Sequence, residues 1–251
     1  MIGIVDALDR PTSVEPRAKW CGTFLALYAS LALLVRCATY GSRALYEFTW
    51  ACNIVMALAS FGMLTGRHLV VQAAMVAVSP DQILWYVDMG GLLATGAFPV
   101  GVAKYIFWDD TSWSRVITTM HHLWFLPLCI YSLDGTRQLM GLGVGGCLWA
   151  MCVVLSRWLI PKSLPGGHGG HLMKEPPIKM KEGIASDTYL NINCSHEMWK
   201  DVPLFSSLSS ANPVLHVSRT CVVGFIAISV SHTLIECSIA LAKSGASLVS
   251  L

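Results

Sequence analysis

Apolar residues in this chain come in long runs rather than in alternation. The runs Trp20 to Tyr40, Tyr46 to Thr65, Leu69 to Thr95, Arg115 to Leu133, Leu139 to Ile160 and Val214 to Ala242 are separated by polar stretches. Each approaches or exceeds the ~20 residues that an α-helix needs to cross a ~30 Å hydrocarbon core. The pattern predicts an all-α polytopic transmembrane bundle of about six spans. Pro80-Asp81-Gln82 interrupts the third run, and two arrangements follow from it. One is a single long helix over Leu69 to Thr95, kinked at Pro80. The other is a short interfacial helix and a new span from Ile83. The kinked helix is favoured, because roughly ten residues before the proline cannot cross a bilayer alone.

The polar stretches set the remaining organisation. Residues 1–19, with Pro11 and Pro16, read as a tail, and residues 20–160 hold five helices. Residues 96–114 form a connection rich in Gly, Pro and aromatic residues, of the kind membrane interfaces favour. Residues 161–213 form a long polar loop containing PGGHGGH and SSLSSANP, and residues 214–251 hold the last helix and a tail. Gly141, Gly143, Gly145 and Gly146 would let another helix approach the fifth run closely.

Composition agrees with the runs. The chain has 251 residues, 54% hydrophobic and 13% charged, with a mean hydropathy of +0.57. These values belong to a multi-pass membrane protein. The net charge of +2 is scattered, and basic residues do not cluster with aromatics, so no nucleic-acid partner is implied. Membrane lipid is the expected surrounding, with a lateral helix-packing partner or a second copy as the other candidate. Which membrane holds the chain is not written in the sequence. Nine cysteines contain no C-x-x-C, and all but Cys194 lie in or beside apolar runs, as small buried hydrophobes do. The first residues lack the basic start of a cleavable signal. With six spans, the long-loop side carries more Lys and Arg, which by the positive-inside rule favours a cytoplasmic loop, and one span more or fewer reverses this.

Ionisable residues inside the runs are the candidates for chemistry, because charge in hydrocarbon is expensive unless used or paired. Asp88 lies between Trp85 and a Gly-Gly pair. Asp81, Trp85 and Asp88 share a face if helical, but the two acids then stand about 10 Å apart, too far to work on one bond. His121 and His122 are adjacent and point about 100° apart on a helix, so a shared metal is not expected. His232 and Glu236 lie four apart and can touch. Glu47, Asn53, Arg115 and His216 fall near span edges. His168 and His171 in GHGGH are a weak metal signal. No GxSxG, P-loop or HExxH occurs, and no cofactor is specified.

Several short motifs recur in a familiar order: W-x-C-N at Trp50 to Asn53, L-W-x-x-D at Leu84 to Asp88, and T-G-x-x-P-x-G at Thr95 to Gly101. Tyr105-x-Phe107, Arg115, His122 with Pro127, Asn191-Ile192-Asn193 and His216 complete the set. Over residues 46–240 the chain resembles a family of poorly characterised multi-pass bacterial integral membrane proteins. The resemblance implies a helical membrane fold, carries no activity, and makes the N-I-N stretch a fixed turn. The chain is also similar, more weakly, to the fungal membrane-bound terpene cyclases, through Cys52-Asn53 and the later Asp. Where that family carries a Trp-Glu whose carboxylate protonates substrate, Met56 and Ala57 stand here.

The expectation is therefore an interhelical polar site with Asp88, His122, His232 and Glu236 as catalytic candidates and no metal. Trp85, Arg115 and Asn53 would bind a lipid-phase or amphipathic small molecule. A non-catalytic subunit of a membrane complex and a small proton-coupled transporter are the alternatives. The sequence does not decide between enzyme and binding protein.

Overall fold

The computed structural model describes residues 12–41, 44–109, 111–133, 140–164, 188–189, 191–198 and 207–249. Eight helices appear among them: α1 (Pro16–Tyr40), α2 (Ala44–Glu47), α3 (Ala51–Thr65), α4 (His68–Thr95), α5 (Trp113–Thr119), α6 (His121–Leu133), α7 (Met140–Leu159) and α8 (Pro213–Val249). Short 3₁₀ turns cover Lys104–Phe107 and Ile192–Cys194. Two strands, β1 (Ser163–Leu164) and β2 (Thr188–Tyr189), pair antiparallel. His168 and His171 lie outside the described residues.

The bundle is all-α, and among the described residues four segments are long and apolar enough to span a membrane: Pro16–Thr39, Trp113–Leu133, Met140–Leu159 and Pro213–Ala242. The expected count of six is not reached, for two different reasons. Helix α3 has 15 residues, about 22 Å of helix, and falls short of a ~30 Å core. Helix α4 has 28 residues but carries buried Gln72, Ser79, Gln82 and Asp88. Its position explains this polarity. It packs against α3, α6, α7 and α8, and a helix surrounded by protein need not match lipid. The outer faces do: Trp20, Leu27, Leu31 and Leu34 on α1, and Trp158 and Leu159 on α7, are all more than half exposed.

The third apolar run is one helix, with Pro80 inside it. A proline at position i leaves the carbonyl at i−4 without its helical donor. At Pro80 that carbonyl belongs to Val76, and the Ser79 hydroxyl donates to it at 2.9 Å. Pro127 in α6 frees the Leu123 carbonyl in the same way, and the Tyr86 hydroxyl reaches it from α4 at 3.2 Å. Close packing follows the glycines. A side chain at Gly141 would meet Gln72 at 2.9 Å, and one at Gly145 would meet the Ala73 carbonyl at 2.9 Å. These two, four residues apart on one face, let α7 lie directly on α4. Gly146 faces Phe225 of α8 instead, and Gly143 has nothing near it.

Part of the long polar stretch is folded into the bundle. Asn193, at φ 54°, occupies the left-handed region that Asn tolerates. Its Oδ1 accepts the Ala51 N–H at 2.7 Å, and its Nδ2 donates to the Thr49 carbonyl at 2.9 Å and the Ser156 hydroxyl at 2.8 Å. One side chain thus caps α3 and ties it to α7. Asn191 closes its own loop, accepting the His196 and Glu197 N–H groups at 2.9 Å each. Helix α8 begins at Pro213 in the first-turn position that suits proline. The Asn212 side chain caps it through the Leu215 N–H at 3.1 Å.

His196 fastens this loop to the end of α7. Its Nε2 donates to the Ile160 carbonyl at 3.2 Å, which leaves Nδ1 to accept from Arg157. Burial lowers its pKa from the ordinary 6.5; the Ile160 carbonyl raises it, and the Arg157 and Lys162 charges lower it further. The folded protein therefore prefers the neutral ring. That contribution is complete above the unfolded value and is lost as pH falls through the lower folded one. Melting temperature should drop between about pH 7.5 and about pH 5.5, either side of the ordinary histidine range. In His196→Gln, which keeps one donor and one acceptor without titrating, the drop should be smaller.

Candidate functional site

Asp88 sits fully buried in α4, as its sequence setting suggested, but its carboxylate serves the backbone. One oxygen accepts the Val100 and Gly101 N–H groups at 2.8 and 2.9 Å, and the other accepts the Ala103 N–H at 2.9 Å. Gly91 has no side chain to strike the Pro99 ring that lies against it. Gly96 ends α4 in the left-handed conformation, its N–H bonded to the Leu92 carbonyl. The Asp, Gly-Gly and Pro-x-Gly of this stretch are thus one unit that folds the 96–103 loop back onto α4. Asp88 was expected in a reactive centre; its carboxylate is instead engaged by this loop and does not line the cavity between the helices. A carboxylate holding three backbone donors has scaffold work to do.

The polar centre lies further along the same helix and is a continuous string of contacts. The Arg36 guanidinium meets the Glu47 carboxylate at 3.0 Å, and its Nε donates to the Thr118 hydroxyl at 2.7 Å. His121 Nδ1 donates to the Thr118 carbonyl at 2.9 Å. The His121 and His122 rings lie 4.2 Å apart, and His122 Nδ1 is 3.2 Å from an Asp81 oxygen. Glu47 belongs to short α2, outside the spans; burial pushes its carboxyl up, and the Arg36 and Arg115 charges oppose this. Removing one partner of such a buried pair costs about 3–5 kcal/mol. Arg115 lies 5.1 Å over the Tyr105 ring, a cation–π contact.

These groups line a cavity of about 190 Å³ bordered by all eight helices, α1 to α8. Its apolar wall includes Ala32, Ala77, Val78, Leu84, Val223 and Ile228, and Asn193, Cys194 and Met198 of the docked loop close one side. Asn53 also lines it, with its Nδ2 donating to the Glu47 carbonyl at 2.8 Å.

The expected divergence of His121 and His122 does not hold. The helix is broken at Met120, where i→i+3 bonds (Met120 to Ile117, Leu123 to Met120) replace the α pattern. The Thr118 and Thr119 hydroxyls bond back to the carbonyls of Ser114 and Arg115, which bends helices. From this irregular turn both rings face the cavity. His122 is further held by stacking on Trp85, 4.8 Å between centroids and 14° between planes. Cys52, in the first turn of α3, brings its sulfur to them, so one donor atom from each of Cys52, His121 and His122 lies within 4.8 Å of the others.

The sequence-derived residues therefore separate. His122, Arg115 and Asn53 line the cavity, and Trp85 stands behind it as the surface on which His122 stacks. Asp88, His232 and Glu236 do not line it. His232 and Glu236 are half-buried on α8, so the four catalytic candidates do not share one cavity. His216, placed near a span edge, is fully buried, and its Nε2 donates to the Cys194 carbonyl at 2.9 Å. Sequence reasoning passed over Arg36, Cys52, Asp81, Thr118 and His121. The convergence of the first four depends on contacts between residues far apart in sequence. His121 was set aside on regular-helix geometry that Met120 interrupts.

No protein family, curated protein or solved structure matches this chain. Chemistry must be argued from the groups themselves: two guanidinium groups, two carboxylates, two imidazoles and a thiol against an apolar wall. Such a set can grip a polar head, exchange protons or hold a metal ion.

Asp88→Asn keeps the shape but removes the charge and turns one accepting oxygen into an NH2 donor, so at least one of three hydrogen bonds, each worth about 1.5–3 kcal/mol when charge-assisted, is lost. Hydrogen exchange at Val100, Gly101 and Ala103 should speed up by about tenfold or more, while exchange in α1 and α6 is unchanged.

Proposed function

We propose that this multi-span helical membrane protein binds a lipid-phase or amphipathic small molecule in the cavity beside its buried polar string. The molecule's apolar part would lie along Ala32, Ala77, Leu84, Val223 and Ile228. Its polar head would meet Arg115 and the Arg36–Glu47 pair. One observation carries the reading: a single cavity joins an apolar wall to a contiguous set of charged and titratable side chains. Ligand sites commonly combine a mostly apolar lining with a few placed polar groups. Helix glue alone would draw those groups into closed pairs without leaving a space between helices. The exposed apolar faces of α1 and α7 put the surrounding lipid in reach as the source of such a molecule. Transformation of the bound molecule, beyond binding, would fall to the imidazoles at the head.

Trp50 and Trp149 line the cavity and report on its contents. Titrating a brominated fatty acid into the purified protein in detergent should quench tryptophan fluorescence saturably. Ala227→Phe, which fills the cavity from α8, should remove the saturable part. Arg115→Met should weaken it by about tenfold, the loss of one charge-assisted contact. Quenching that rises linearly with probe, or that is the same in Ala227→Phe, would contradict the reading.

A further inference from the structure

We propose that Cys52, His121 and His122 form a binding site for a zinc-class divalent cation, with Asp81 positioning His122. The inference does not depend on the amphiphile reading, since it concerns donor atoms and not the apolar wall.

The first support is convergence. One thiol and two imidazoles from two separate helices bring a donor atom each to within 4.8 Å of one another, and both histidines are buried. Bonds of about 2.0–2.3 Å in a tetrahedral site set ligand atoms roughly 3.3–3.7 Å apart. Closing the cluster onto an ion takes side-chain rotations of about an ångström. The ligand types choose the cation: thiolate with imidazole suits zinc and its neighbours, whereas magnesium and calcium require oxygen.

The second support is the proton placement on the two rings. A carbonyl can only accept, so the Thr118 contact fixes the His121 proton on Nδ1. Nε2 of His121 then offers a lone pair, and this atom is buried with no hydrogen-bond partner among the described residues. A buried acceptor without a partner costs about 1–3 kcal/mol, and an ion in the cluster would remove that penalty. For His122, Nδ1 faces both the Asp81 carboxylate at 3.2 Å and the Gln82 amide at 3.1 Å. A cation on Nε2 settles this competition by making Nδ1–H the donor and Asp81 its acceptor. Metal-ligating histidines usually hold their second nitrogen against a carbonyl or a carboxylate. Here one ring has each.

Three protein ligands leave a fourth position, and all three line the cavity. The site is thus of the open type, with its fourth ligand drawn from water or from a molecule in the cavity.

Cobalt(II) is the probe, titrated without amphiphile into chelator-treated full-length protein in detergent. One ion per chain should bind, giving visible tetrahedral d–d bands and a near-ultraviolet thiolate-to-cobalt charge-transfer band. Zinc(II) should displace it. Cys52→Ser should lose the charge-transfer band, and His121→Leu should lose binding. Asp81→Asn should weaken affinity by about 10- to 100-fold, the usual effect of losing such a positioning carboxylate. His168→Ala/His171→Ala should change nothing. Wild-type protein that binds no cobalt stoichiometrically, or binds it without the thiolate band, overturns the proposal. So does a band that survives Cys52→Ser or disappears with the two loop histidines. The wild-type spectrum decides even if a variant fails to fold, and it is read apart from bromolipid quenching, so either reading can fail alone.

Discussion

Pro80 cannot donate to the Val76 carbonyl, and in this bundle the Ser79 hydroxyl does so instead. That substitution is the constraint on the whole protein in small. In an apolar surrounding an unmet backbone group costs several kcal/mol, so each irregularity has to arrive with its own partner. Pro127 has Tyr86, the 96–103 loop has Asp88, and the start of α3 has Asn193. Each of these side chains reaches a backbone group on a different element or across a break in its own. Satisfying the backbone and assembling the bundle are therefore one process.

With those side chains assigned to the scaffold, a second set stands out by contrast. Arg36, Glu47, Asp81, Arg115, His121 and His122 also lie within the bundle, but they border open space, and His121 Nε2 meets no acceptor or donor among the described residues. Natural proteins tolerate such local penalties mainly where function requires them. The break at Met120 belongs to this second set, since it turns two adjacent histidines toward the same cavity. Only a regular helix would have kept them apart.

What the sequence disclosed follows the same division. The helical class, the single helix through Pro80 and the close approach at Gly141 and Gly145 are legible, because each is set by period, proline or glycine within a short window. The count of spans was not, because α4 is shielded by neighbours and can be long without matching lipid. Asp88 misled for a related reason. A buried acid reads the same in sequence whether it holds three amides or a substrate, and only the fold of 96–103 tells them apart. Cys52, Asp81 and His121 come from distant parts of the chain, and nothing local marks their meeting.

The central claim is that Asp88 belongs to the scaffold and His121 to the site, with opposite effects on stability. Thermal unfolding of Asp88→Asn and His121→Leu, measured side by side with a chelator present, tests this directly. Asp88→Asn should melt well below the wild type, whereas His121→Leu, which removes an unpaired buried nitrogen, should melt at or above it. Equal losses in the two variants would contradict the division.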